Sequence, residues 1–253
     1  MNSLILAAGT GTRLRPITND IPKCLVKIGN KSLLDWQLEN LKKAGIKNIN
    51  IVTGYKQDKI IKDREIKFNK IYFNKSYNST NMVKSLLLAK DLFYTDLLIS
   101  YSDIIYKTEI VNLLLESKHK NAIIIDIDWY KLWSKRFKEP LDDAETLSFD
   151  KNFNLLNIGK KTRNINDIMG QYIGLMKFDN NTLGFLNNLD IENKIKNNLF
   201  MTDLIRIFLK NNIEIKVLPI KRGWLEVDSL SDLTLYNEEI KRQRNENVFS
   251  IFN

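Results

Sequence analysis

The chain has 253 residues, 43% of them hydrophobic, enough for one large unit or two small ones with a sizeable core. No apolar run reaches the length of a membrane span, the N-terminus carries no leader pattern, and a single cysteine excludes an internal disulfide, so a cytoplasmic protein is expected. The net charge of +9 admits a polyanion partner, but the lysines and arginines are scattered, so neither nucleic acid nor a membrane is expected as a partner.

Residues 2–8 read as a strand. Residues 32–44 carry Leu33, Leu34, Leu38 and Leu41 in a helical stripe that Gly45 closes. A short strand over 49–52 ends at Gly54, 66–73 alternates as a strand does, and 81–93 is helical with Met82, Leu86, Ala89, Leu92 and Phe93 on one face. A strand over 96–101 runs up to Asp103, a helix covers 109–115, and 122–127 is an apolar strand apart from Asp126. This alternation implies βαβ units and a largely parallel sheet.

The second half changes character. Segments 145–149 and 155–158, joined by Asp150-Lys151-Asn152, form a hairpin, and 171–178 is a further strand. Helices are expected around 183–189 and 202–209, a strand over 213–220 and a closing helix over 229–244. No linker, repeat or low-complexity tract interrupts the chain. The expectation is one α/β domain over 1–253, with a mixed, mostly parallel central sheet flanked by helices and an inserted substrate lobe of hairpin and helices.

The first strand runs into Ala7-Ala8-Gly9-Thr10-Gly11-Thr12-Arg13-Leu14-Arg15-Pro16, and Pro22-Lys23 follows. A glycine-rich turn after a strand brings backbone N–H groups to phosphates, and Arg13 and Lys23 supply the neutralising cations. The spacing is not that of a Walker A loop, and Leu14 stands where a dinucleotide fingerprint needs a third glycine. Cys24 reads as a small buried hydrophobe beside Lys23, and His119, the sole histidine, as a surface residue. That leaves no basis for histidine catalysis or a histidine-rich metal site.

The run L-A-A-G-x-G-T-R-L-x-P with its downstream P-K resembles the signature of the nucleotidyltransferases that activate sugar phosphates and small phospho-alcohols. The resemblance implies a Rossmann-like nucleotidyltransferase fold, with a nucleotide-binding part over about 1–128, an acceptor part over about 129–228 and a C-terminal helix over about 229–245. Leu6, Ala8, Gly9, Thr10, Gly11, Thr12, Arg13 and Lys23 then form the nucleotide loop, with Arg13 and Lys23 as catalytic cations. The family places metal-binding aspartates in the contexts of Asp103 and Asp228, which end strand-like runs and suit Mg²⁺ if the sheet brings them together; each also reads as a turn or N-cap residue.

The segment around Thr80, Asn81 and Ser85 resembles the phosphocholine and phosphonate cytidylyltransferases, which implies base or ribose contacts there; helix capping is an equally physical use of Thr80 and Asn81. The patch from Asp126 to Thr146, with Trp129, Trp133, Arg136, Asp142 and Glu145, mixes aromatics, acids and an arginine. It reads both as an acceptor site and as ordinary packing. Gly159-Lys160-Lys161-Thr162 stands where hexose-1-phosphate enzymes of the wider family carry E-K-P. This implies that Lys161, or else Lys160, holds the acceptor phosphate, with Gln171 lining the same cleft.

Taken with G-W-L-E-V-D at 223–228, these motifs are similar to the small-acceptor cytidylyltransferases, which act on phosphocholine, 2-aminoethylphosphonate or, in capsule phosphoramidate synthesis, L-glutamine phosphate. The acid–arginine mixture favours the zwitterion, L-glutamine phosphate. The resemblance implies Mg²⁺-assisted transfer of CMP from CTP to a small phosphorylated acceptor. A hexose-1-phosphate enzyme using UTP or dTTP is the alternative, although tryptophans stand where a sugar site needs hydroxyl-reading groups. Val248, Phe249, Ile251 and Phe252 leave two docking options open, a second subunit in a homodimer or this chain's own core.

Overall fold

The computed structural model describes residues 1–62, 68–242 and 251. From the amino terminus the elements are β1 (Asn2–Ala7), β2 (Lys27–Ile28), β3 (Lys31–Ser32), α1 (Leu33–Lys43), β4 (Asn48–Thr53), α2 (Gln57–Ile61), β5 (Ile71–Phe73) and α3 (Met82–Leu87). There follow β6 (Leu97–Tyr101), β7 (Ile104–Tyr106), α4 (Thr108–Glu116), β8 (Ala122–Asp126), α5 (Trp129–Arg136), β9 (Glu145–Phe149), β10 (Leu155–Lys161) and β11 (Gln171–Phe178). The chain continues through α6 (Asn180–Ile191), α7 (Met201–Lys210), β12 (Lys216–Ile220), β13 (Trp224–Glu226) and α8 (Leu230–Arg242).

Seven strands form the central sheet in the order β12-β8-β11-β6-β1-β4-β5. Only β11 runs against its neighbours β6 and β8; the other pairings are parallel. Both faces are covered. Along β1, Ile5 and Ala7 enter the core layer that also holds Leu34, Leu38 and Val111, while Leu4 and Leu6 enter the opposite layer with Val83, Leu86, Phe178 and Phe208. Such two-sided burial is why these strands are near-continuous apolar runs rather than alternating ones. Helix α1 begins at a capping box, in which Ser32 Oγ accepts from Asp35 N–H and the Asp35 carboxylate accepts from Ser32 N–H.

The expected fold class is therefore what the chain adopts, with differences in detail. The helix expected over 81–93 stops at Leu87; the chain then tightens into a 3-10 turn at Lys90–Leu92, which keeps Leu92 and Phe93 buried. The strand expected from 213 begins at Lys216, because Ile213 still donates to Phe208 O at the exit of α7. Helix α5 was not foreseen. The paired strands β7 and β13 lie outside the main sheet and form a separate antiparallel pair. Of the strand expected over 66–73, residues 66 and 67 lie outside the described residues, as do 243 and 244 of the closing helix. Ile251 is buried in the core layer that holds α1; Val248, Phe249 and Phe252 lie outside the described residues. Among the described residues no helix is long and apolar enough to cross a membrane.

Candidate active site

The glycine loop leaves β1 at the carboxyl edge of the sheet, where open α/β sheets bind ligands. Two glycines are required there by close approach. Gly11 has φ +63°, and a Cβ on it would stand 2.9 Å from Lys23 Cβ, so the bare backbone lets the Lys23 stem pack against the loop. Gly54, at the end of β4, would place a Cβ 2.6 Å from Ala8 O. Fully buried Thr18 donates its hydroxyl to Gly11 O at 2.8 Å, and Tyr55 OH donates to Thr18 O at 2.9 Å. Leu14 is buried without exposure, and the turn it anchors leaves Arg13 projecting outward.

Leu6, Ala8, Gly9, Gly11, Thr12, Arg13, Lys23, Thr80, Asn81, Ser85, Asp103 and Asp228 line one cleft of about 280 Å³. Thr10 belongs to the loop but is not among the lining residues. Tyr77, Met82 and Ser102 also line it and were not singled out from sequence. Around Thr80 the structure shows a polar web. Buried Asn74 donates to Thr80 Oγ1 and to Ser85 Oγ, each at 3.0 Å, and Asn81 Oδ1 caps α3 by accepting from Met82 N–H at 2.8 Å. Asn74 is a supporting residue that sequence reasoning missed.

The electrostatic centre is Lys23. Its Nζ donates to Asp103 Oδ2 and to Asp228 Oδ1, both at 2.7 Å, although the two aspartates are 125 residues apart. Strand β7 pairs antiparallel with β13, Ile104 opposite Glu226, and Val227 N–H donates to Asp103 O at 2.9 Å; this pairing is what brings the two carboxylates together. Arg13 contacts the other Asp228 oxygen. Burial works against the Lys23 charge, yet Asp103, Asp228 and Glu226 push its pKa up to about 12. Glu226, which sequence reasoning also missed, is a third carboxylate here. Burial raises its pKa, opposed by Arg136 and reinforced by Asp103 and Asp228.

The expected acceptor residues do not converge in the same way. Trp129 is 4% exposed and packs edge-on against Trp133 and Tyr130. The Arg136 side chain is wholly buried and forked onto Asp232. Of the two uses the sequence leaves open for these residues, both placements are those of packing; α5 turns the side chains into the core. Asp142 is exposed and pairs with exposed Arg163, Lys161 Nζ donates to Asp143 O at 2.9 Å and to Asp142 O at 3.3 Å, and Lys160 is exposed on β10. Gln171 stitches β11 to β9 through its side chain, accepting from Glu145 N–H and donating to Glu145 O. Burial pushes the Glu145 carboxyl up, against the attraction of Lys161. Glu145 and Gln171 share a small recess with Tyr172.

A family profile described as nucleotidyl transferase matches residues 2–134. The CTP:phosphoglutamine cytidylyltransferase of Campylobacter jejuni is 39% identical over 94% of this chain and its own whole length. The choline-phosphate cytidylyltransferase of Streptococcus pneumoniae is 33% identical over 54% of this chain and 61% of its own. In fold, the solved CTP:phosphocholine cytidylyltransferase from Streptococcus pneumoniae matches with a TM-score of 0.71 over 94% of this chain and 98% of that one, at 20% identity. The inositol-1-phosphate CTP transferase from T. maritima matches with a TM-score of 0.70 over 94% and 96%, at 17% identity. With its glycine loop, its central lysine and a relative this similar over nearly its full length, the chain belongs to the nucleotidyl transferase family and is an enzyme of that kind.

Proposed function

We propose that this enzyme transfers CMP from CTP to a small phosphorylated acceptor, with L-glutamine phosphate as the acceptor, CDP-L-glutamine as the product and pyrophosphate as the leaving group. The observation that carries the reading is the similarity to the Campylobacter jejuni enzyme along nearly the whole chain, acceptor half included. The cleft supports it: backbone amides of the glycine loop, two cations and two carboxylates face one volume of triphosphate chemistry.

An acceptor phosphate oxygen attacks the α-phosphorus in line and pyrophosphate departs. That oxygen is already anionic, so neither a protein nucleophile nor a strong base is needed. The obstacle is repulsion between two anions, and catalysis is orientation and charge cancellation. Lys23 trades a carboxylate partner for a phosphate oxygen and neutralises the α-phosphate or the incoming acceptor. Arg13, exposed at the cleft mouth, holds the departing pyrophosphate. Lys161 on the hairpin anchors the acceptor phosphate, and Glu145 faces its amine.

The residues present fit Mg²⁺. Asp103 Oδ1 is buried without a hydrogen-bond partner, and two carboxylates plus triphosphate oxygens make the all-oxygen set this ion prefers. Held by Asp103 and Asp228, it would stabilise the charge that develops on the phosphate oxygens.

A panel of four nucleoside triphosphates against L-glutamine phosphate, phosphocholine, 2-aminoethylphosphonate and a hexose 1-phosphate, read by pyrophosphate release with Mg²⁺, tests the proposal. The expected result is turnover with CTP and L-glutamine phosphate above all other pairs. Preferential turnover of UTP or dTTP with the hexose phosphate would overturn it.

A further inference from the structure

We infer that Arg136, buried away from any acceptor, is a positioning residue for Asp228: it holds the carboxylates on either side of Asp228 and thereby sets where the Asp228 side chain points. The inference rests on the reading of Asp228 as a metal-binding residue.

The geometry is specific. Arg136 Nε donates to Asp232 Oδ1 at 2.9 Å and Nη2 donates to Asp232 Oδ2 at 3.1 Å, a bidentate fork. Its third arm, Nη1, donates to Glu226 Oε2 at 2.9 Å. Asp232 Oδ2 accepts in addition from the backbone N–H of Asp228 at 2.9 Å and of Ser229 at 3.0 Å. One guanidinium therefore grips the residue two positions before Asp228 and the residue four positions after it, and the second grip runs directly onto the Asp228 backbone. The guanidinium itself is fixed by the rings of Trp133, 5.1 Å away, and Phe137, 4.9 Å away.

Stability alone does not account for this arrangement. Replacing a buried ion pair by well-packed apolar groups is often neutral or stabilising. A packed hydrophobe, however, cannot hold a carboxylate with two lone pairs aimed at successive backbone N–H groups. The planar fork can, and a point-charge lysine cannot reproduce it. Helix α5 is thus tied to the metal-binding turn through one side chain, and that turn carries the Asp228 oxygens facing Lys23 and Arg13.

The test is Mn²⁺ affinity, measured by electron paramagnetic resonance of free Mn²⁺ with a non-hydrolysable CTP analogue bound, alongside the Mg²⁺ concentration that gives half-maximal rate. For Arg136→Met, and for Asp232→Asn as the volume-preserving partner, both quantities should weaken about 10–100-fold, the usual loss when a group that orients a metal ligand is removed. Analogue affinity without metal should change less than about threefold, since neither residue lines the nucleotide cleft. Arg136→Lys should recover only part of the loss. Where Arg136→Met does not fold, Asp232→Asn decides. Melting temperature lowered with Mn²⁺ affinity unchanged would make the network merely structural and overturn the inference. Asp228→Asn separates the two layers: if it leaves Mn²⁺ affinity intact, the metal-ligand reading of Asp228 has failed; if it abolishes binding while the Arg136 and Asp232 variants bind normally, the positioning inference alone has failed.

Discussion

The glycine-loop cleft and the proposed acceptor half of this protein are built differently. In the first, residues from positions 6 to 228 converge on one volume, and its cations face carboxylates. In the second, the aromatics and the arginine that looked like a binding patch are packed inside, while Lys160 and Lys161 stand exposed on a hairpin. The difference teaches that a glycine loop with flanking cations is a chemical signal, because those residue types have little other reason to cluster. Tryptophans and a lone arginine are an ambiguous signal, because large rings and a planar cation also serve packing.

Substitutions can break or sharpen that contrast. Trp129→Ala should cost about 3–5 kcal/mol of stability, as the loss of a large buried ring does, without a selective rise in the acceptor KM of the folded enzyme. Thermal melts beside steady-state kinetics check this; an unchanged melt with a raised acceptor KM would return Trp129 to the acceptor site. Lys23→Ala and Asp103→Ala should each lower kcat by roughly 10²–10³-fold, the cost of one preorganised electrostatic partner. Near-normal turnover in either would remove the cleft from the chemistry.

Lys161→Ala should act more mildly and elsewhere. Loss of one charge-assisted contact, worth about 1.5–3 kcal/mol, raises the acceptor KM roughly 10–100-fold and leaves the CTP KM alone. If Lys160→Ala does this instead, the two lysines exchange roles.

The smallest effect concerns Glu145. Its folded pKa is raised by burial, so the folded state favours the protonated form; the stability it contributes is present below its unfolded pKa of about 4.5 and is lost as pH rises through the folded value. Glu145→Gln should therefore melt higher than the parent at pH 7–8, with the gain shrinking towards pH 4. Melting curves across that range, without acceptor, give the answer.

Much of the fold was legible because its signals are local. Leu4 to Ala8, Leu97 to Ile99 and Ala122 to Ile125 are apolar without interruption, as suits strands buried on both faces. Gln171–Phe178 ends at Asp179, the N-cap of α6, whose side chain accepts from Thr182 N–H. Helix α5 carries its mark locally too, since Trp129, Leu132, Trp133 and Arg136 recur at helical spacing and are its buried residues, an ordinary amphipathic stripe. Asn74 and Glu226 carried no local mark, since a polar residue becomes a hub only through partners distant in sequence.

The sequence by itself determined the layered α/β build, the glycine turn and the kind of charge placed beside it, because hydrophobic period and turn chemistry act over a few residues. Only the tertiary structure decided that Asp103 and Asp228 share one lysine, and that Arg136 faces inward to Asp232 rather than outward to a ligand. Those facts depend on the pairing of β7 with β13 and on the docking of α5 against α8, and contacts across such separations follow from how whole faces pack, which no short stretch of chain encodes.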